Sequence, residues 1–158
     1  MNSANAPEYS VVISDTTCLI LLQKLDAFDV LRNLYPQTIT TPEVVSEFGE
    51  GLPSWITIQS VKNNALVDLF RESVDPGEAS AIALAIELPN CLLIVDDKKA
   101  RKLANQMNLE FIGTLGLLVE AKNQDLIPQV KPYLDQIQQT NFRVSQDIID
   151  YVLELAKE

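Results

Sequence analysis

The chain has no histidine among its 158 residues, and it has only two cysteines, Cys18 and Cys91. Without histidine, nucleophilic catalysis by a Ser-His or Cys-His pair is excluded, and a zinc site would be poor in ligands. A metal bound here must therefore be a hard ion held by oxygen, such as Mg²⁺ or Mn²⁺. Both cysteines lie in apolar stretches, so we expect reduced thiols in the core.

The sequence has no apolar run long enough to cross a bilayer. The most apolar early segment, VVISDTTCLILLQKL, is interrupted by Asp15 and contains Lys24 near its end. The N-terminal MNSANAPEYS has neither a basic segment nor an apolar core, so we do not expect a signal peptide. We expect a cytoplasmic protein with no membrane partner, and a flexible N-terminus over residues 1–8.

Positive charge is scarce, because 12 lysines and arginines face 22 acidic residues and the net charge is −10. This balance argues against nonspecific binding of nucleic acid. The basic residues are locally concentrated, however, since Lys98, Lys99, Arg101 and Lys102 fall within five positions. Such a cluster is either a solvated helix face or, beside an acidic site, a group that binds phosphates.

Short apolar strands alternate with helical patterns along the whole chain. Strands are predicted at 9–14, 37–40, 55–60, 91–95 and 110–112, with helices between them and a helical tail over about 127–157. This alternation is typical of an α/β domain whose mostly parallel sheet, of about five short strands, is flanked by helices on both faces. We expect a core over 9–125 and a C-terminal helical extension, 126–158, packed on it.

Acidic residues directly follow two of the predicted strands. The stretch CLLIVDDKKARK runs from a buried strand into Asp96 and Asp97, and Asp15 follows the first strand. Glu78 opens an alanine-rich helix that leads back into the fourth strand, so it begins at the same edge of the sheet. Because ligands of open α/β sheets bind at the carboxyl ends of the strands, we expect these acids to meet there.

Further polar residues belong to the same predicted edge. Thr114 follows the last strand and opens its helix, and Glu43 and Glu47 share one face of the helix after the second strand. Carboxylates brought together raise each other's pKa, whereas a divalent cation keeps them ionised. The pattern therefore predicts a Mg²⁺ or Mn²⁺ site at this edge.

Each of these residues also has a purely structural explanation. Asp15, Asp97 and Thr114 stand where they could cap the helices that follow. Glu78 could serve the positive end of its helix, and the glutamates of the third helix could be solvated side chains. The convergence of the whole set is therefore more specific than any one member.

Five segments, in this order, resemble PIN-domain proteins, in particular the VapC-like toxin ribonucleases and a related branch. They are VVISDTTCLILLQKL, TPEVVSEF, DPGEASAIALA, LLIVDDKKARKLA and FIGTLGLLVEAK, which together span about residues 10–123. The tail FRVSQDIIDYVLELA is similar to the same branch. The resemblance implies a PIN-like three-layer fold and a nuclease that hydrolyses RNA phosphodiester bonds with a metal-activated water, as the toxin of a toxin–antitoxin pair.

The resemblance also implies roles for particular residues. The catalytic acids that carry over are Asp15, Glu47, Glu78 and Asp97. Asp96 joins Asp15, Glu78 and Asp97 as a ligand of Mg²⁺ or Mn²⁺. The residues expected to contact the RNA substrate are Thr114, Lys98, Lys99 and Arg101. A small antitoxin protein is an implied partner, and the apolar surface helices of the pattern add a homodimer as an expectation.

Three other function classes are compatible with parts of the sequence. A catalytically silent PIN-like interaction or regulatory module fits the acidic balance. A phosphoacceptor receiver domain also has an acidic pair after a strand, but receivers carry that pair on the first strand and here it follows the fourth. A dinucleotide site is disfavoured because no G-x-G-x-x-G follows a strand.

Overall fold

The computed structural model of the protein describes residues 9–158, so the expected flexible N-terminus over 1–8 lies outside the described residues. Within the described chain, five strands form one sheet in the order β3-β2-β1-β4-β5. Every strand pair is parallel. The strands are β1 (Val11–Ser14), β2 (Thr38–Thr40), β3 (Ile56–Ile58), β4 (Cys91–Ile94) and β5 (Phe111–Ile112).

Helices connect the strands and follow the last of them. They are α1 (Thr16–Lys24), α2 (Phe28–Leu34), α3 (Pro42–Phe48), α4 (Asn64–Phe70), α5 (Pro76–Glu87), α6 (Lys98–Gln106), α7 (Thr114–Asn123), α8 (Lys131–Ile137) and α9 (Gln146–Leu155). Among the residues described, no helix combines the length and the apolar character needed to span a membrane.

The side chains of successive strand residues point to opposite faces of the sheet and so build two apolar layers. Val12, Leu92 and Ile94 pack with α1, α2, α3, α7, α8 and α9 on one face. Ile13 and Leu93 pack with α4, α5 and α6 on the other. The three-layer α/β fold predicted from the sequence is therefore confirmed. Both cysteines are free, as expected, and Cys18 is buried in the core. Cys91 differs from the expectation, because it is partly exposed at the border of its apolar layer.

The C-terminal tail consists of two short helices rather than a continuous one. The Thr140 hydroxyl donates to the Ile137 carbonyl at 2.6 Å and so ends α8, and the Ser145 hydroxyl accepts the Ile148 N–H and begins α9. At the end of the chain, Glu158 accepts the Val130 N–H at 2.7 Å. The tail packs in the same apolar layer as residues of the preceding chain, and this layer does not mark a boundary between them. The division into a core over 9–125 and an extension over 126–158 therefore stays a prediction.

The burial of α5 gives a direct test of this packing. Ile82 is fully buried, whereas Ile86, one turn later on the same helix, is 42 % exposed. We expect Ile82→Ala to lower the free energy of unfolding by about 3 kcal/mol, because it leaves a cavity against the sheet. Urea denaturation of this variant and of the unsubstituted chain measures the difference in free energy of unfolding.

Ile86→Ala is the matched control, because it removes the same atoms from the same helix. It should cost less than about 1 kcal/mol, as surface substitutions usually do. Equal losses in the two variants would contradict the placement of α5.

Candidate functional site

The carboxyl ends of β1 and β4 lie side by side in the middle of the sheet. Ser14 pairs with Ile94 at the last position of the two strands, and the Asp15 N–H donates to the Ile94 carbonyl at 3.1 Å. The acid that follows β1 is therefore brought next to the acids that follow β4. These acids, which are distant in the sequence, therefore lie together at the carboxyl edge of the sheet, as expected for a parallel arrangement of strands.

Asp15 is 1 % exposed and lies at the centre of this edge. Its Oδ1 accepts the Cys18 N–H at 2.9 Å, which caps α1, and its Oδ2 accepts the Asp96 N–H at 3.2 Å. Burial raises the pKa of Asp15 well above its usual range, the Asp96 charge raises it further, and Glu78 adds a smaller effect. Asp15 is thus both a helix cap and a buried member of the acidic edge.

Asp96 is held in one orientation by Thr114. The Thr114 N–H donates to Oδ1 at 2.8 Å, and the Thr114 hydroxyl donates to Oδ2 at 2.6 Å. Burial raises the pKa of Asp96, while these hydrogen bonds and the Arg101 charge act in the opposite direction. The N-cap of α7 is Gly113, so Thr114 does not cap this helix. Thr114 is fully buried, and its hydroxyl is already bonded to Asp96. Its predicted contact with substrate stays a prediction.

Glu78 forms a reciprocal capping box with Asp75 at the start of α5. The Glu78 N–H donates to Asp75 Oδ1 at 3.0 Å, and the Asp75 N–H donates to Glu78 Oε1 at 3.3 Å. Burial, followed by the charges of Asp75 and Asp97, raises the pKa of the half-buried Glu78 from 4.5 to about 7. Without a counter-ion, ionisation of this carboxylate therefore opposes folding as the pH rises through that window.

Asp97 is exposed and caps α6, because its Oδ2 accepts the Ala100 N–H at 3.1 Å. It faces an open cavity of about 400 Å³, which is also lined by Glu78, Arg71 and Lys99. Sequence reasoning missed Arg71, which has no motif around it. It also missed Asp75, although the spacing Asp-x-x-Glu is a recognisable capping-box signal.

Glu47 stands between the starts of two helices. It accepts the Thr16 hydroxyl at 2.6 Å and the Gly77 N–H at 2.9 Å, so both of its carboxylate oxygens are bonded. A Cβ atom at Gly77 would overlap Glu47 Oε1, which explains why this position of α5 is glycine. Glu47, rather than Glu43, makes these contacts within α3, and it joins the first turn of α5 to that of α1.

The basic residues of α6 differ in what they contact. Arg101 Nε donates to the Val95 carbonyl at 2.9 Å, and its Nη2 lies 4.0 Å from Asp96 Oδ1. Arg101 is thereby anchored to the edge of the sheet. Lys98 and Lys99 are exposed and form no ion pair within residues 9–158, and only Lys99 lines the cavity beside Asp97.

The chemistry of this donor set fits a hard divalent cation. The groups are carboxylates held close together: the Asp96 charge raises the pKa of Asp15, and the Asp97 charge raises the pKa of Glu78. A divalent ion relieves that repulsion. In the part of the chain that the structure describes, however, no three acidic or cysteine side chains are already close enough to hold an ion. Metal binding would therefore require some rearrangement of side chains, for which the exposed Asp97 and half-buried Glu78 have room.

Comparison with known protein families identifies the domain type. The model of the DUF3368 family, described as a PIN domain, matches residues 11–158. This match begins with the first residue of β1 and includes every acid of the edge described above. No curated protein sequence matches the chain.

The contact between Glu47 and Gly77 can be tested with two substitutions. Gly77→Ala should lower the free energy of unfolding by about 1 kcal/mol, because the new methyl group displaces Glu47 from its two hydrogen bonds. In a Glu47→Ala background the same change should be neutral or should stabilise by up to about 1 kcal/mol, since alanine favours a helix over glycine.

Urea denaturation of the four proteins of this double-mutant cycle measures the coupling between the two positions. If Gly77→Ala has the same effect with and without Glu47, the proposed contact does not contribute to stability.

Proposed function

The chain belongs to the PIN-domain family, and we propose that it is a metal-dependent ribonuclease that hydrolyses RNA phosphodiester bonds. PIN domains are generally nucleases, and such nucleases typically use divalent metals. The observation that carries the proposal is the contact of Asp15 with Asp96 at the adjoining ends of β1 and β4. It brings a buried carboxylate and its neighbour to the edge where ligands of parallel sheets bind.

In this proposal, Asp15, Asp96, Glu78 and Asp97 hold Mg²⁺ or Mn²⁺. When bound, the cation lowers the pKa of a coordinated water and neutralises charge on the scissile phosphate. Asp15 and Asp96 are the fixed members, because both oxygens of each carboxylate accept hydrogen bonds from the protein. Glu78 and Asp97 are the adaptable members, because both face the open cavity.

The remaining predicted residues act around these four carboxylates. Thr114 keeps Asp96 from turning away, and Glu47 positions the first turn of α5, in which Glu78 lies. Arg101 offsets part of the Asp96 charge. Lys98 and Lys99 extend from the first turn of α6, where they can approach the phosphates of an RNA strand.

We extend the proposal to a cellular role as the toxin of a toxin–antitoxin pair, acting in the cytoplasm as a homodimer. A small antitoxin protein would then be encoded beside this chain. Expression of the chain alone should arrest growth, and coexpression of that small neighbour should restore it. Unimpaired growth with soluble protein present would argue against the toxin role.

A catalytically silent PIN domain is the second candidate function. Two observations favour it. Among the described residues, no three acidic or cysteine side chains lie close enough together to hold a metal ion, and the net charge is −10. The two candidates differ in one measurement, which is cleavage of single-stranded RNA by the purified chain in Mn²⁺ and in EDTA. Cleavage that EDTA abolishes supports the nuclease.

Asp15→Asn and Asp97→Asn test the nuclease proposal residue by residue. Each should reduce the rate of RNA cleavage by about 100-fold or more, because each removes a negative charge from the proposed cation site. The Asp97→Asn variant should keep its fold, since Asp97 is exposed and asparagine also caps helices.

Asp68→Asn is the matched control, because Asp68 is an exposed acid in α4 and does not line the cavity. Its cleavage rate should equal that of the unsubstituted chain. Full activity in folded Asp15→Asn and Asp97→Asn proteins would rule out the proposed roles of these two carboxylates.

A further inference from the structure

The open cavity beside the acidic edge contains two positive side chains from distant parts of the chain. Arg71 is the C-cap of α4, and Lys99 lies in the first turn of α6, which Asp97 caps. Both line the cavity of about 400 Å³ together with Glu78 and Asp97. The two cations therefore border the same space as the two adaptable acids of the proposed site.

Arg71 and Lys99 are available to an external anion. Both residues are exposed, and in the described residues neither forms an ion pair. Arg101 differs, because its guanidinium group is anchored to the Val95 carbonyl and lies beside Asp96. Lys98 and Lys102 are also exposed on α6, but they do not line the cavity.

The charge of the cavity determines when an anion can enter. Four acids, Glu72, Asp75, Glu78 and Asp97, line the same cavity as the two cations, so the cavity has an excess of negative charge. A phosphate would be repelled until a divalent cation neutralised part of that charge. Binding of a polyanion in this cavity should therefore depend on a divalent cation.

We propose that Arg71 and Lys99 bind the phosphates of the RNA strand next to the scissile bond, and that this cavity is where the strand enters. This inference rests on the proposed function for the choice of RNA as the ligand, and it adds Arg71 as a substrate-binding residue. Charge-assisted hydrogen bonds from a guanidinium and an ammonium group suit phosphate oxygens. Because Lys99 is two residues from Asp97, an RNA phosphate bound by Lys99 would lie close to the proposed cation ligands.

The experiment measures binding of fluorescently labelled single-stranded RNA to the full chain by anisotropy, with Ca²⁺ as the divalent cation. Arg71→Gln and Lys99→Gln should each weaken binding about threefold. Each should also reduce the slope of log K against log salt by about 0.7, since one phosphate contact is lost. The losses should be equal for oligo-U and oligo-A, because phosphate contacts do not distinguish bases.

Lys102→Gln is the matched control, because Lys102 is exposed on the same helix and does not line the cavity, and this variant should bind RNA like the unsubstituted chain. Arg71→Lys should retain most of the affinity, because it keeps the positive charge. Removal of Ca²⁺ with EDTA should weaken binding of the unsubstituted chain more than either glutamine substitution does. Circular dichroism of each variant confirms that these surface changes leave the fold intact.

The proposal is overturned if the unsubstituted chain does not bind RNA, if Arg71→Gln and Lys99→Gln bind normally, or if Lys102→Gln loses as much affinity as they do. Cleavage is followed separately in Mn²⁺, so the two proposals can fail independently. If RNA binding depends on Arg71 and Lys99 but no RNA is cleaved in Mn²⁺, only the proposed ribonuclease activity is refuted. Cleavage with normal RNA binding by both variants refutes only this cavity as the binding site.

Discussion

The buried carboxylate of Asp15 is the interaction on which the carboxyl edge of the sheet depends. One of its oxygens accepts the Cys18 N–H and so begins α1, and the other accepts the Asp96 N–H directly after β4. A single side chain thus joins the start of a helix to the end of the neighbouring strand. A threonine or serine could cap the helix without placing a charge in the interior, where an ionised carboxylate is costly. The proposed cation would explain why this position carries a carboxylate.

The order of strands and helices could be predicted because burial on both faces leaves a clear signal. The run CLLIV is apolar at every position, as expected for a central parallel strand, and the acids after it indicate where the strand ends. The break between α8 and α9 was not predicted, since neither glycine nor proline occurs between 138 and 145. Instead, the Thr140 hydroxyl ends α8 by a local hydrogen bond. Which helices cover which face of the sheet depends on packing between distant residues, which a single sequence does not reveal.

The candidate site was predictable to the level of its edge but not to the level of its contacts. Asp15 and the acids after β4 were expected at one edge, because parallel strands place their carboxyl ends on the same side of a sheet. That β1 and β4 are neighbours in the sheet is shown only by the structure. The bonds of Glu47 to Thr16 and Gly77 could not be read from the helix pattern, which places Glu43 and Glu47 on the same face. Arg71 left no signal at all, because a cavity formed by the ends of α4, α5 and α6 has no counterpart in local sequence.

A crystal structure of the chain with Mn²⁺ would show whether Asp15, Asp96, Glu78 and Asp97 together bind divalent metal. Anomalous scattering recorded at the manganese absorption edge locates the ion independently of any assumption about its ligands. We expect a peak bonded to Asp15 or Asp96 together with Glu78 or Asp97. A well-ordered acidic edge with no peak, or a peak bound only elsewhere on the molecule, would contradict it.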